Sequence, residues 1–230
     1  MRIFTQYMKD FFNLFFPDLC IVCNTHLVTQ EDYICTKCLY NLPKTNYHKE
    51  QDNPVSQLFW GRTKIELATA YFSFNKGSAY QQMMHKFKYH GNKEIGYVLG
   101  KAFGNQIRQS EFNSIDLIIP VPLHKSKLRK RGYNQSEWIG KGLAEGLQKP
   151  LESKLFIRAV ATETQTRKSR YARWKNVEKI FRITNVKEIE GKHILLVDDI
   201  VTTGSTLEAC ANTLLEVEDT KVSIATLAVA

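Results

Sequence analysis

Four apolar residues in a row, Ile194-Leu195-Leu196-Val197, run directly into two carboxylates, Asp198 and Asp199. An unbroken apolar run of this kind fits a strand buried on both faces of a parallel sheet. Residues 114–122 form a second such strand, stopped by Pro120 and Pro122. Alternation over residues 68–74, and again over 221–229, predicts two more. Residues 155–160 and 181–183 read as short strands. Between them the period changes. Phe4, Met8, Phe11, Phe12 and Phe15 fit a helix ended by Pro17. Residues 80–88 fit a second helix, with Met83 and Met84 as core, and Ile95, Leu99, Phe103 and Ile107 a third. Trp138, Ile139, Leu143 and Leu147 mark a fourth. Residues 206–215 make the last, with Cys210 as a buried thiol. Strands alternating with helices predict an α/β fold around a mostly parallel sheet. Residues 41–63 are polar, with Pro43 and Pro54, and read as a linker. The expected division is 1–45, 46–66 and 67–230.

The loop after Asp199 carries the first chemical signal. Thr202, Thr203, Gly204, Ser205 and Thr206 supply hydroxyls and backbone N–H groups. Gly204 permits a bend, and Ser205 or Thr206 can cap the following helix. A strand, a small-residue loop and a helix N-terminus make an anion site, most often for phosphate. Carboxylates repel phosphate, so Asp198 and Asp199 should face something neutral and hydroxylated, or a metal. A ribose diol beside a phosphate satisfies both. Adjacent strand residues face opposite sides, so both carboxylates reach one ribose only if the chain leaves strand geometry by Asp199.

Charge narrows this further. The chain of 230 residues carries a net charge of +9. Residues 120–175 hold fourteen Lys or Arg against four Glu, and the remainder is nearly neutral. A segment this basic suits a polyanion: a pyrophosphate, a nucleic acid, or both. Tyr133, Trp138, Tyr171 and Trp174 are interleaved with the cations, as in single-strand binders. Lys125, Lys127, Arg129 and Arg131 follow the second buried strand. In a doubly wound sheet, loops after strand C-termini share one edge, so this basic loop and the 198–206 loop can meet.

Cys20, Cys23, Cys35 and Cys38 form two C-x-x-C pairs. Two such knuckles close a tetrahedral four-thiolate site, the set preferred by Zn²⁺. With no open position, a zinc here is expected to be structural; an iron–sulfur cluster or a redox dithiol pair is the alternative. His26 reads as a loop histidine. The fifth cysteine, and an N-terminus without a small-residue cleavage site, point to a reducing cytosol rather than disulfides or export. No apolar run is long enough to span a bilayer. The aromatic N-terminal helix packs on its neighbouring module, or docks on a partner or the inner face of a membrane.

Residues 194–206 match, at all thirteen positions, a pattern that resembles the 5-phosphoribosyl-1-diphosphate (PRPP) signature of type I phosphoribosyltransferases. The resemblance implies that Asp198 and Asp199 hold the ribose hydroxyls and Thr202, Thr203, Gly204, Ser205 and Thr206 the 5′-phosphate, with Mg²⁺ bound alongside PRPP. It also implies a lid over residues 161–176, bringing Arg170 or Arg173 to the pyrophosphate beside Lys125, Lys127, Arg129 and Arg131. If the protein is an enzyme, the implied reaction is pentosyl transfer to a nitrogen nucleophile, with Asp198 and Asp199 as its catalytic residues. A complete amidophosphoribosyltransferase is not expected, since that enzyme needs an N-terminal cysteine nucleophile and Arg2 follows Met1 here. Residues 120–136 (Pro-Val-Pro-Leu-His-Lys-Ser-Lys-Leu-Arg-Lys-Arg-Gly-Tyr-Asn-Gln-Ser), residues 87–92 and the four-cysteine module together narrow the resemblance to the ComF (ComFC) competence family. That implies a type I phosphoribosyltransferase fold with a zinc-ribbon-like module, and a cytoplasmic role in natural transformation. The implied partners are PRPP, single-stranded DNA and the competence helicase machinery. A nucleotide-salvage transferase, and a scaffold with a relic pocket, are the competing readings.

Overall fold

The computed structural model describes residues 17–89, 91–158 and 180–229. The expected N-terminal aromatic helix, the 161–176 lid with Arg170 and Arg173, and Tyr171 and Trp174 lie outside the described residues.

In chain order the elements are helix α1 (Thr36–Tyr40), α2 (Pro54–Gln57), strand β1 (Ala68–Ser73), α3 (Ala79–Tyr89), α4 (Glu94–Ile107), β2 (Leu117–Pro120), α5 (Lys125–Arg131), α6 (Gln135–Leu147), β3 (Phe156–Arg158), β4 (Phe181–Ile183), β5 (His193–Val201), α7 (Ser205–Leu214) and β6 (Lys221–Val229). The main sheet has the order β1-β6-β5-β2, and every neighbouring pair is parallel. β3 and β4 form a separate antiparallel pair.

The unbroken apolar strands divide their side chains between two cores. Leu195 and Val197 of β5 join the cluster under α3, α4 and α6, with Met83, Met84, Phe87, Leu99 and Leu143. Ile194 and Leu196 join the opposite cluster, with Leu207, Cys210 and Leu214 of α7. This is the period-2 alternation of a strand covered on both sides. Both sheet edges are covered. Ser73 N donates to Pro43 O at 3.0 Å and Thr45 N to Tyr71 O at 3.1 Å along β1. Ile118 N donates to Pro150 O at 2.9 Å along β2. Contacts of this kind blunt the two edges of the main sheet as templates for another strand.

α4 and α6 pack nearly backbone to backbone. A Cβ on Gly142 would stand 2.1 Å from Tyr97 O, and one on Gly100 would stand 2.3 Å from Ile139 O. Gly96, Gly100 and Gly104 recur every fourth residue and so share one helix face. The apolar spacing of these helices marks their core side, whereas the glycine side shows itself only in the packing.

Residues 46–66 carry more structure than the linker reading gives them. Asn53, nearly inaccessible, caps α2 by accepting from Val55 N and Ser56 N. Its amide donates to the carbonyls of Tyr47, Glu50 and Ala68. Val55 and Phe59 are buried in the α7-side core. Few apolar residues are needed when each is placed on the core by a cap.

The basic stretch after β2 is a helix rather than a loop. His124 caps α5 through Nδ1, which accepts from Ser126 N at 3.3 Å. Gly132, at φ 79°, ends it in the left-handed region. Tyr133 is buried, and its hydroxyl donates to Phe87 O. It is therefore not an exposed stacking surface for a nucleic acid.

Candidate functional site

The site forms where β2 and β5 end. Their register pairs Pro120 with Val197, so α5 and the 202–206 loop leave the sheet at the same edge. β5 stays a strand through Asp199 to Val201. The condition for two carboxylates on one side is thus not met here, and each has its own partner. Asp198 Oδ1 accepts from Ser136 Oγ at 2.8 Å and from Asp199 N at 2.9 Å. Asp199 Oδ2 lies 2.9 Å from Lys88 Nζ, at the C-terminal end of α3. Among the described residues, Asp198 Oδ2 and Asp199 Oδ1 remain open.

Burial of the Asp198 carboxyl, and then the Asp199 charge, push its pKa up to about 7. Hydrogen bonds from Ser136 and Asp199 N, and the more distant Lys88, act the other way. Burial keeps the Cys210 thiol protonated, well above its usual range. A buried carboxyl that holds its proton more readily than usual can donate to a hydroxyl as well as accept from one, and adjacent carboxylate oxygens can accept a hard cation. Mg²⁺ fits this all-oxygen donor set. A bound Mg²⁺ would supply positive charge between these carboxylates and an anionic ligand.

The loop differs from expectation at its cap. Neither Ser205 nor Thr206 caps α7. Gly204 is the N-cap, at φ 74°, with no side-chain hydrogen bond. Thr203 Oγ1 and Ser205 Oγ instead lie 3.1 Å apart. An uncapped first turn leaves N–H groups directed outward, beside exposed Thr202, Thr203, Ser205 and Thr206.

α5 presents Lys125, Lys127 and Arg129 to solvent. Arg131 is engaged elsewhere: Nη1 donates to Gln135 Oε1 at 2.9 Å, and the guanidinium lies 5.2 Å from the Tyr89 ring centroid. Among the described residues, no ion pair joins these four cations to Asp198 or Asp199. Lys88, Ser136 and Arg62 were not singled out as site residues from sequence. Each acts across the fold, and no local spacing announces it. Arg62 Nη1 donates to Thr203 O at 3.1 Å.

The four cysteines do come together. Their Sγ atoms all lie within 4.8 Å of one another. Cys23 and Cys35 sulfurs are 3.7 Å apart, close to the roughly 3.8 Å edge of a tetrahedron with Zn–S near 2.3 Å. Cys35 N donates to Cys20 Sγ at 3.3 Å and Cys38 N to Cys35 Sγ at 3.4 Å. Such bonds stabilise thiolates, and the set could hold a metal such as zinc. The Thr25 hydroxyl lowers the Cys23 thiol to about 6, while burial raises Cys35 and Cys38. The module is tied to α3 by Tyr80 Oη, which donates to Cys38 O at 3.0 Å, and by Lys86 Nζ, which donates to Ile21 O at 3.3 Å.

Among the described residues, no helix is long and apolar enough to cross a membrane. Residues 140–229 match the phosphoribosyl transferase domain. The chain is similar to competence protein ComFC of Bacillus subtilis, with 30% identity over 206 residues, 87% of this chain and 80% of that protein. It is also similar to the DNA utilization protein YhgH of Salmonella typhimurium, with 32% identity over 137 residues, 58% of this chain; the match spans 60% of that relative's length. Among solved structures, glutamine PRPP amidotransferase from B. subtilis superimposes with a TM-score of 0.45 at 19% identity, over 63% of this chain and 30% of that one. With the parallel sheet and four-cysteine cluster already in view, the ComFC match over most of both chains places this chain in the ComF/ComFC competence family, a phosphoribosyltransferase fold behind an N-terminal cysteine module.

Proposed function

We propose that this chain binds PRPP with Mg²⁺ at the shared end of β2 and β5, and acts in handling incoming single-stranded DNA. One observation carries the first half: a carboxylate pair with open oxygens adjoins a helix start without a side-chain cap. In this reading Asp198 and Asp199 take the ribose hydroxyls, which requires the chain at Asp199 to leave the strand geometry it holds here and turn its carboxylate to the side of Asp198. Thr202, Thr203, Gly204, Ser205 and Thr206 take the 5′-phosphate through N–H and hydroxyl donors. Lys125, Lys127, Arg129 and Arg131 take the pyrophosphate, after Arg131 leaves Gln135 and Tyr89. Lys88 has to exchange its hold on Asp199 for the ligand. The four cysteines hold structural zinc. The exposed cations of α5 and the relatives' names support the DNA half.

Calorimetry with PRPP and Mg²⁺ tests the pocket. Micromolar binding, weakened in Asp199→Asn, is the expected result; no heat from zinc-loaded protein defeats the reading. Single-strand binding at low salt, lost on charge reversal of Lys125, Lys127, Arg129 and Arg131, tests the DNA half. Base-dependent release of pyrophosphate would instead mark a salvage transferase.

A further inference from the structure

Residues 53–63 lie outside the stretch matched by the phosphoribosyl transferase domain, yet they touch its phosphate loop. Phe59 is 1% exposed, and its ring lies 3.0 Å from where a Cβ on Gly204 would stand. Arg62 reaches the same loop with both terminal nitrogens of its guanidinium. Nη1 donates to Leu58 O at 3.0 Å and to Thr203 O at 3.1 Å, and Nη2 pairs with the Glu208 carboxylate.

Two of those acceptors are groups an anion site must dispose of. Glu208 lies in the first turn of α7, where a free carboxylate would repel a phosphate at the helix start. The Thr203 carbonyl would do the same if it turned towards the ligand. One planar fork engages both and leaves the N–H groups of the turn facing outward.

We propose that Arg62 is a positioning residue for phosphomonoester recognition: it neutralises Glu208 and fixes the Thr203 carbonyl so that the 203–207 amides face the ligand. This rests on the reading of the 202–206 loop as the 5′-phosphate site. It brings a residue from outside the matched domain into that site without direct ligand contact.

The test compares wild type, Arg62→Ala, Arg62→Lys, Glu208→Gln and the double variant Arg62→Ala/Glu208→Gln. Affinity for PRPP with Mg²⁺ and for ribose 5-phosphate is read by calorimetry, and amide exchange over 203–207 is read without ligand. Arg62→Ala is expected to weaken both ligands by about tenfold, while Arg62→Lys, which keeps the charge, recovers part of the loss. The double variant should return to within about threefold of wild type, because the repelling carboxylate is gone. A brace that only holds residues 53–63 in place would show no such rescue. Exchange over 203–207 should rise in Arg62→Ala. Arg62→Ala binding within twofold of wild type, or a double variant no better than the single, overturns the proposal. If wild type binds neither ligand, the phosphate reading falls. Exchange then decides the positioning alone: unchanged exchange in Arg62→Ala and Arg62→Lys removes it, and accelerated exchange in Arg62→Ala keeps it.

Discussion

Lys88 Nζ stands 2.9 Å from Asp199 Oδ2, so the last turn of α3 neutralises one of two adjacent carboxylates at the end of β5. The pair is mostly shielded from water. Removing the ammonium leaves a partly buried charge beside a second carboxyl. Lys88→Met should cost about 1–3 kcal/mol in urea unfolding at pH 7.5. An unchanged midpoint would show that the ion pair contributes nothing.

Asp198 sets a pH dependence of stability. In the unfolded chain this carboxyl loses its proton near pH 4; in the folded chain burial delays the loss to about 7. Between these values the folded state holds the extra proton, so stability declines as pH rises through that window. Asp198→Asn has no proton to lose. Relative to wild type, it should gain stability between pH 5 and pH 8 in matched urea melts. A constant difference across that range would contradict the assignment.

Metal removal should unfold more than the cysteine loops. Cys38 O accepts from Tyr80, and Cys20, Cys35 and Cys38 share one apolar cluster with Met83 and Phe87. Purified protein should contain about one equivalent of zinc. Cys35→Ser should abolish it and lower the melting temperature by several degrees. Full zinc content in Cys35→Ser would rule out the four-thiolate site.

Gly142→Ala should be among the most damaging small substitutions. Its Cβ would meet the backbone oxygen of Tyr97 at 2.1 Å, and backbone cannot swing aside. A loss of about 3 kcal/mol or more is expected. Gly96→Ala should cost less, because its nearest neighbours are the far atoms of the Phe87 ring, at 2.6 and 2.7 Å. Equal losses in urea unfolding would refute this ordering.

Local pattern carried much of this molecule. The apolar run 194–197, the small-residue loop and the following helix were legible because neighbouring residues determine them. The four cysteines were legible for the same reason, since each C-x-x-C knuckle forms within one turn of chain. Tertiary structure decided the pairings. Lys88 finds Asp199 because α3 ends beside β5, and Ser136 finds Asp198 because α6 starts there. Arg62 finds Thr203 and Glu208, and Phe59 fits under Gly204, from a stretch whose polar composition reads as linker. Burial of Tyr133 against Phe87 was equally hidden, because an aromatic among cations gives no local sign of which way it faces. The sequence by itself determined the buried strands, the main amphipathic helices and the chemistry that ends β5, but not the helix of the basic stretch or the capped turn at Asn53. Which distant charges and carbonyls surround that chemistry depended on chain segments meeting across the sheet, a relation that no local period records.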